Sequence, residues 1–213
     1  MEAINFLVKK VKEEENKVFK DDCTLATLRP INKDILPEID MVVDALTKWR
    51  NKAMPFFKTG FIATNERTLN WLVNTVIPSE QKILFLIYVE DKMIGHFGLC
   101  NITEDSAELD NAIRGERGGH PDLFKYVEKK ILDIAFSKLG VNKIYGRLFS
   151  NNFLAMTLHK QFGFQENSRS PLKLLKSKDE WEYIECSKED ANTNVEYVEL
   201  ILLDSLFNMS LFY

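Results

Sequence analysis

Apolar residues recur at two spacings along this chain, and the spacing changes where the elements change. Ile35, Ile39, Val42, Val43, Leu46 and Trp49 follow three- and four-residue steps, the period of one helix face, with Asp34 in the N-cap region. Leu69, Leu72, Val73 and Val76 predict a second helix over residues 65–77, stopped by Pro78. Leu123, Val127, Ile131, Ile134, Ala135 and Leu139 predict a third, opened by Pro121 and closed by Gly140. A short helix over residues 152–162 ends at Gly163. Between these segments the period falls to two, or the apolar runs become continuous. Residues 23–31 read as a strand halted near Pro30. Residues 82–90 are nearly all apolar and read as a central strand, and Asp91-Lys92 turns the chain into a returning strand over 93–100. Residues 106–113 and 141–149 read as further strands, 171–176 and 181–184 as a hairpin, and 195–203 as a last strand. Residues 1–22 mix apolar residues with Lys and Glu and read as an N-terminal helical arm, and 205–213 form an apolar tail.

This order, β-α-α-β-β-β-α-β-α-β-β, predicts a mixed sheet flanked by helices in one domain over residues 23–204. The 213 residues suffice for a sizeable core. A net charge of −4 argues against a dedicated nucleic-acid binder. Cys23, Cys100 and Cys186 form no CxxC pair, so neither a disulfide framework nor a zinc site is expected, and no metal. Cys100 closes an apolar run and reads as a buried free thiol. The first twenty residues lack the apolar core of a signal peptide, and no run reaches the ~18 apolar residues that span a bilayer. A cytoplasmic protein without membrane contact is the expectation.

The chemistry concentrates in two places. Residues 114–120, Arg-Gly-Glu-Arg-Gly-Gly-His, join a strand to the start of a helix. Backbone N–H groups at a helix start are unpaired and carry partial positive charge, and glycines let a phosphate approach them. Arg114 and Arg117 could add charge-assisted bonds, whereas Asp122 would compete with a bound anion. No GK[ST] follows and no GxGxxG is present, so neither a nucleotide P-loop nor a dinucleotide fold is indicated. About thirty residues on, a strand leads into Asn151-Asn152, then Ala155, Leu158, His159, Gly163 and Phe164.

The segment RLFSNNFLAMTLHKQFGF resembles the closing signature of the GNAT acetyltransferases. SAELDNAIRGERGG resembles their central strand and pyrophosphate loop, and VEDKMIGHFGL the hairpin before it. The resemblance implies an α+β fold, a mixed but mostly antiparallel central sheet in a three-layer α/β/α arrangement. It also implies acetyl-CoA as cosubstrate. Asn111, Ala112 and Ile113 would pair with the pantetheine arm where the central strand splays. Arg114, Gly115, Arg117, Gly118, Gly119 and Asn152 would complete the cosubstrate site. Two positions depart from the family pattern: the loop glycines are spaced differently, and His159 stands where a tyrosine usually protonates the departing thiolate. Trp49-Arg50-Asn51 resembles a segment that lines the acceptor cleft of amino-sugar-nucleotide and ribosomal-protein N-terminal acetyltransferases.

Amine acetylation needs a proton acceptor, and the candidates are Asp110, His96 and Glu108. Strand alternation puts Glu108, Asp110 and Ala112 on one face of their strand and Leu109, Asn111 and Ile113 on the other. The expected function is acetyl transfer to a small primary amine, that of an amino sugar or sugar nucleotide. Two alternatives stay open: acetylation of protein N-termini, and a domain that binds acyl-CoA or dimerises without turnover. The arm and the apolar tail are compatible with a homodimer.

Overall fold

In the computed structural model, which describes residues 2–210 and side chains through residue 207, ten strands alternate with helices. The chain runs through α1 (Glu2–Lys12), β1 (Asn16–Lys20), β2 (Cys23–Pro30), α2 (Ile39–Lys52), β3 (Thr59–Gly60) and α3 (Asn65–Trp71). It continues through β4 (Ile83–Val89), β5 (Lys92–Cys100), β6 (Ser106–Arg114), α4 (Leu123–Asp133), β7 (Lys143–Phe149) and α5 (Phe153–Lys160). It closes with β8 (Gln165–Lys176), β9 (Trp181–Glu185), β10 (Glu196–Leu203) and α6 (Asp204–Ser210). The sheet order is β1-β2-β4-β5-β6-β7-β10-β8-β9-β3. Among the described residues β6 and β7 are the parallel pair, and the other ladders are antiparallel. β8 serves two ladders: its first half pairs with β10 and residues 172–176 with β9.

Two apolar layers lie on opposite sides of this sheet. One joins α1, α4 and α6 to Ile83, Phe85 and Ile87, with Phe207 packed on Phe136. The other joins α2 and α3 to Leu84 and Leu86. Alternate residues of β4 thus feed both layers, which is why its sequence is continuously apolar. Lys12 fastens α1 to the helical segment Leu72–Val76 that continues α3 and to the turn after it: its ammonium donates to the carbonyls of Val76, Ile77 and Ser79 at 2.9, 3.1 and 2.9 Å. The Val76 and Ile77 carbonyls stand at the helix terminus, where orphan carbonyls favour a cation.

Several expectations are corrected. Residues 16–20 are not part of a helical arm but form β1, because Val18 closes on the core beside Ala26 of β2. α1 itself buries Ile4, Val8 and Val11 in the main core, so it belongs to the domain body. Asn32, not Asp34, caps the turn before α2, accepting from the Asp34 N–H at 2.7 Å. α4 opens at Leu123, two residues after Pro121. Of the apolar tail 205–213, Leu206 and Phe207 pack onto this same core, and residues 211–213 lie outside the described residues.

The faces of β6 also differ from simple alternation. Leu109 lies in the α4 layer and Ile113 in the α2 layer, although an even number of residues separates them. The cause is a bulge. Gly98 pairs with Asp110 and His96 with Ile113, so Asn111 and Ala112 together oppose Phe97. Asn111 takes φ 54°, a left-handed conformation that asparagine tolerates better than most residues.

Candidate active site

The bulge opens the sheet. β6 pairs with β7 only from Ser106 to Glu108, opposite Lys143 to Tyr145. Past Glu108 the two strands part, and among the described residues the β7-facing backbone edge of residues 109–113 has no strand partner. An unpaired edge inside a sheet is a template for an extended chain of alternating donors and acceptors. Asn111, Ala112 and Ile113 stand on that edge, Ala112 exposed and Ile113 buried.

The end of β6 delivers the chain into the glycine loop. The N–H groups of Gly115 and Glu116 both donate to the Ile94 carbonyl, at 2.9 Å each. The Arg114 guanidinium donates to the carbonyls of Gly118, Pro121 and His120, at 2.6, 3.2 and 3.4 Å. Arg114 therefore braces the loop from within. What remains is the stretch Arg117 to Gly119, exposed, whose N–H groups have no partner among the described residues. Gly118 and Gly119 take φ 145° and 72°, conformations open to glycine. The start of α4 that follows is already engaged, its Asp122 and Leu123 N–H groups donating to His120 Nδ1 and to the His120 carbonyl, while Lys20 of β1 reaches His120 Nε2 at 3.2 Å, adding a cation the sequence did not point to. The loop thus fits an anion such as a pyrophosphate, with Arg117 and Lys20 as its cations.

Trp49, Arg50 and Asn51 act within the fold. Trp49 is 1% exposed. Its indole lies where a Cβ on Gly115 would fall, and its Nε1–H donates to Glu116 at 3.1 Å. It wedges α2 against the glycine loop as a core side chain. The Arg50 guanidinium lies over Phe57, 3.8 Å from the ring centroid, and donates to the Thr59 carbonyl at 2.7 Å. Asn51 holds the backbone of Ala63 from both sides, donating to its carbonyl at 3.0 Å and accepting its N–H at 2.8 Å. Both residues shape the loop that carries β3, so they meet an acceptor, if at all, through that loop.

The three candidate bases divide between a buried histidine and two paired carboxylates. Asp110 bridges to Lys82. Glu108 bridges to Arg147 and accepts from Asn101 at 2.9 Å, while Arg147 also holds Glu199 at 2.6 Å. Beside Glu108 lies an aromatic cluster: the buried Phe149 packs on the half-buried Tyr183 and Tyr197 at 5.0 and 6.0 Å, and Lys58 sits over Tyr197. Burial pushes the Tyr197 hydroxyl up to about 12, with Glu108 adding to it. Burial, reinforced by Asp110 and Glu108, likewise raises Cys100 to about 12, so its thiol stays protonated and is no nucleophile near neutral pH.

His96 stacks on Trp49 at 6.0 Å and has a backbone hydrogen bond to Asn111, while its Nδ1 is buried without a partner among the described residues. Burial pulls its pKa from 6.5 down to about 4. The folded protein therefore holds His96 neutral where the unfolded chain would protonate it. Its contribution to stability is present above pH 6.5 and is lost as pH falls from there towards 4, on the order of 3 kcal/mol in all. Urea unfolding at pH 7 and pH 4 should show a His96→Phe variant losing less stability over that interval than the parent. Equal losses would place the acid sensitivity elsewhere.

His159 and Asn152 lie on α5, beside the opening. The Asn152 side chain accepts the Ala155 N–H at 3.3 Å and caps its own helix. His159 is buried, with Nδ1 2.6 Å from Glu128 Oε1 and its ring against Phe164. Glu128 is fully buried and was not singled out from the sequence. Its one trace there is an acid at a core-facing step, between Val127 and Ile131.

The sequence model of the acetyltransferase (GNAT) domain matches residues 39–196. Among curated proteins none matches significantly. Solved structures with this fold include a probable GNAT-family acetyltransferase from Chromobacterium violaceum, 16% identical with a TM-score of 0.65, covering 90% of this chain and 88% of that one. The N-acetyltransferase PseH of Campylobacter jejuni, solved in complex with acetyl coenzyme A, is 20% identical with a TM-score of 0.54, over 84% of this chain and 99% of its own. A spermidine N-acetyltransferase SpeG from Vibrio cholerae is 19% identical with a TM-score of 0.62, over 86% and 96%. At these identities the structures speak for the fold, and the domain match carries the family. With that match lying across a sheet that parts between β6 and β7 beside a glycine loop, the chain belongs to the GNAT family of acyl-CoA-dependent N-acetyltransferases.

Proposed function

We propose that this protein moves an acetyl group from acetyl-CoA to the primary amine of an amino sugar or sugar nucleotide. The observation that carries the acyl-CoA half is the unpaired edge of β6 past Glu108, which runs straight into the unpartnered N–H groups of residues 117–119. An extended thioester arm would lie on the edge and its diphosphate on the loop. Backbone N–H groups beside the bulge would polarise the thioester carbonyl. Asp110, beside the bulge, is the proton acceptor of first choice, then His96 and Glu108, each working through water.

The acceptor half rests on the face that bears Glu108 and Asp110. A polyamine needs free carboxylates, yet here they already hold resident cations: Lys82 on Asp110, Arg147 on Glu108 and Glu199, and Lys58 on Glu185 at 2.9 Å. The half-buried rings of Tyr183 and Tyr197, backed by the buried Phe149, suit the flat face of a sugar or base instead. A thiol-release assay with acetyl-CoA over amino-sugar nucleotides, spermidine and peptides with free N-termini tests it. The sugar amines should give the highest kcat/KM. Faster turnover of spermidine or of peptides would overturn the acceptor assignment and leave the acyl-CoA half standing.

No helix among the described residues is long and apolar enough to cross a membrane. We infer that the protein works in the cytoplasm, where acetyl-CoA is made available to such enzymes.

A further inference from the structure

The pair Glu128–His159 is an expensive thing to keep in a core. Glu128 is 0% exposed, and its Oε2 has no partner among the described residues. A buried carboxylate with one hydrogen bond costs stability that an apolar residue of the same size would not. Its single partner is the His159 Nδ1, 2.6 Å from Oε1. An acceptor at that distance fixes the tautomer: Nδ1 carries a proton and points at Glu128, so Nε2 is the nitrogen left for other work.

The ring stands where the sheet opens. A Cβ on Gly146 would meet His159 Cδ2 at 3.6 Å and Nε2 at 3.9 Å, so the imidazole edge lies directly over that glycine. Gly146 follows Tyr145, the last β7 residue paired with β6. Nε2 makes no hydrogen bond among the described residues and, unlike Glu128 Oε2, is not sealed from solvent. The neighbours of the ring are Glu128 from α4, Gly146 from β7 and Phe164 after α5. Tyr145 and Arg147 flank Gly146 but lie on the other face of the sheet, where Arg147 holds Glu108 and Glu199. Glu128 is thus the ionisable group in contact with His159.

Taking His159 in the proton-donor place that the resemblance implies, we propose that Glu128 is its positioning residue: it holds Nδ1 and so reserves Nε2 for the sulfur that leaves the acetyl group. This rests on the acyl-CoA reading above. In the step, the acceptor nitrogen bonds to the acetyl carbon and the C–S bond breaks with its electron pair on sulfur. The Nε2 proton passes to that sulfur, giving a free thiol. The amine proton leaves through the base to water, and water reprotonates Nε2. Glu128 holds the ring in line and offsets its positive charge while Nε2 is protonated.

The chain has three histidines, so their ring nitrogens are separable by NMR. Two measurements test the pair. First, CoA and desulfo-CoA are added in turn to the labelled protein. The Nε2 signal of His159 should respond differently to the two ligands, because only one brings a sulfur, while His96 should respond alike to both. Second, Glu128→Gln keeps the shape and removes the charge. It should lower kcat about 10- to 100-fold on the best acceptor of the thiol-release panel. Affinity for acetyl-CoA should stay the same, and the alkaline limb of the pH–rate profile should move to lower pH. Glu128→Asp should recover part of the loss. Identical Nε2 responses to CoA and desulfo-CoA, or an unchanged kcat and alkaline limb in Glu128→Gln, would reduce the pair to a structural contact. If the parent protein bound neither CoA nor desulfo-CoA, the acyl-CoA reading itself would fall.

Discussion

Replacing Trp49 with alanine is expected to cost about 3–5 kcal/mol of stability and to weaken acetyl-CoA binding as well. For a chain of this length that corresponds to a fall in Tm of roughly 6–20 °C. The indole is 1% exposed and fills the space left by the missing side chain of Gly115. It also donates to Glu116, whose N–H shares the Ile94 carbonyl with that of Gly115. Removing the ring leaves a cavity under α2 and frees the start of the glycine loop, so fold and cosubstrate affinity should fail together. Differential scanning calorimetry and titration with acetyl-CoA check both. A variant of normal Tm that only raised KM for the acceptor would return Trp49 to the wall of the acceptor cleft.

The second large effect belongs to Gly118. Its φ of 145° is open to glycine and strained for any L-residue, while an added Cβ would touch nothing closer than Ile94 Cγ2 at 3.8 Å. Gly118→Ala therefore tests backbone conformation without a steric clash. Strain of about 1–3 kcal/mol at an exposed loop should be relieved by refolding the loop, which turns away the N–H groups of residues 117–119. Acetyl-CoA affinity should drop about 5- to 150-fold with little change in Tm. Gly140 is the control: it too has a positive φ, 72°, with open space around it, but it closes the helical segment after α4. Gly140→Ala should cost about 1–2 kcal/mol of stability and leave affinity untouched. Loss of affinity in both variants, or in neither, would remove the loop from the binding site.

These effects show which parts of the molecule the sequence could reveal. The continuous apolar run of β4 and the 3.6-residue face of α4 are local signals: β4 appears where it was read, and α4 appears with its start moved to Leu123. The loop at residues 114–120 was legible because glycine density needs no partner to be noticed. The faces of β6 were not, since one asparagine in a left-handed conformation reverses every side chain beyond it, and its only trace is an Asn inside a strand. The roles of Trp49, Arg50 and Asn51 were equally hidden. Their partners, Gly115, Thr59 and Ala63, are set by how α2 lies on the sheet. His159 was visible as a substitution in a familiar pattern, but the carboxylate behind it lies 31 residues away on another helix. Strand β1 was missed because five residues with one buried valine and one buried asparagine resemble a charged helix end when read alone.

The central claim is that the parted strands and the glycine loop bind acyl-CoA. Isothermal titration calorimetry of the parent protein with acetyl-CoA tests it most directly. The expected result is saturable binding with one site per chain, retained with desulfo-CoA and weakened in Gly118→Ala. Absence of heat and of competition with either ligand, in a protein shown to be folded, would contradict it.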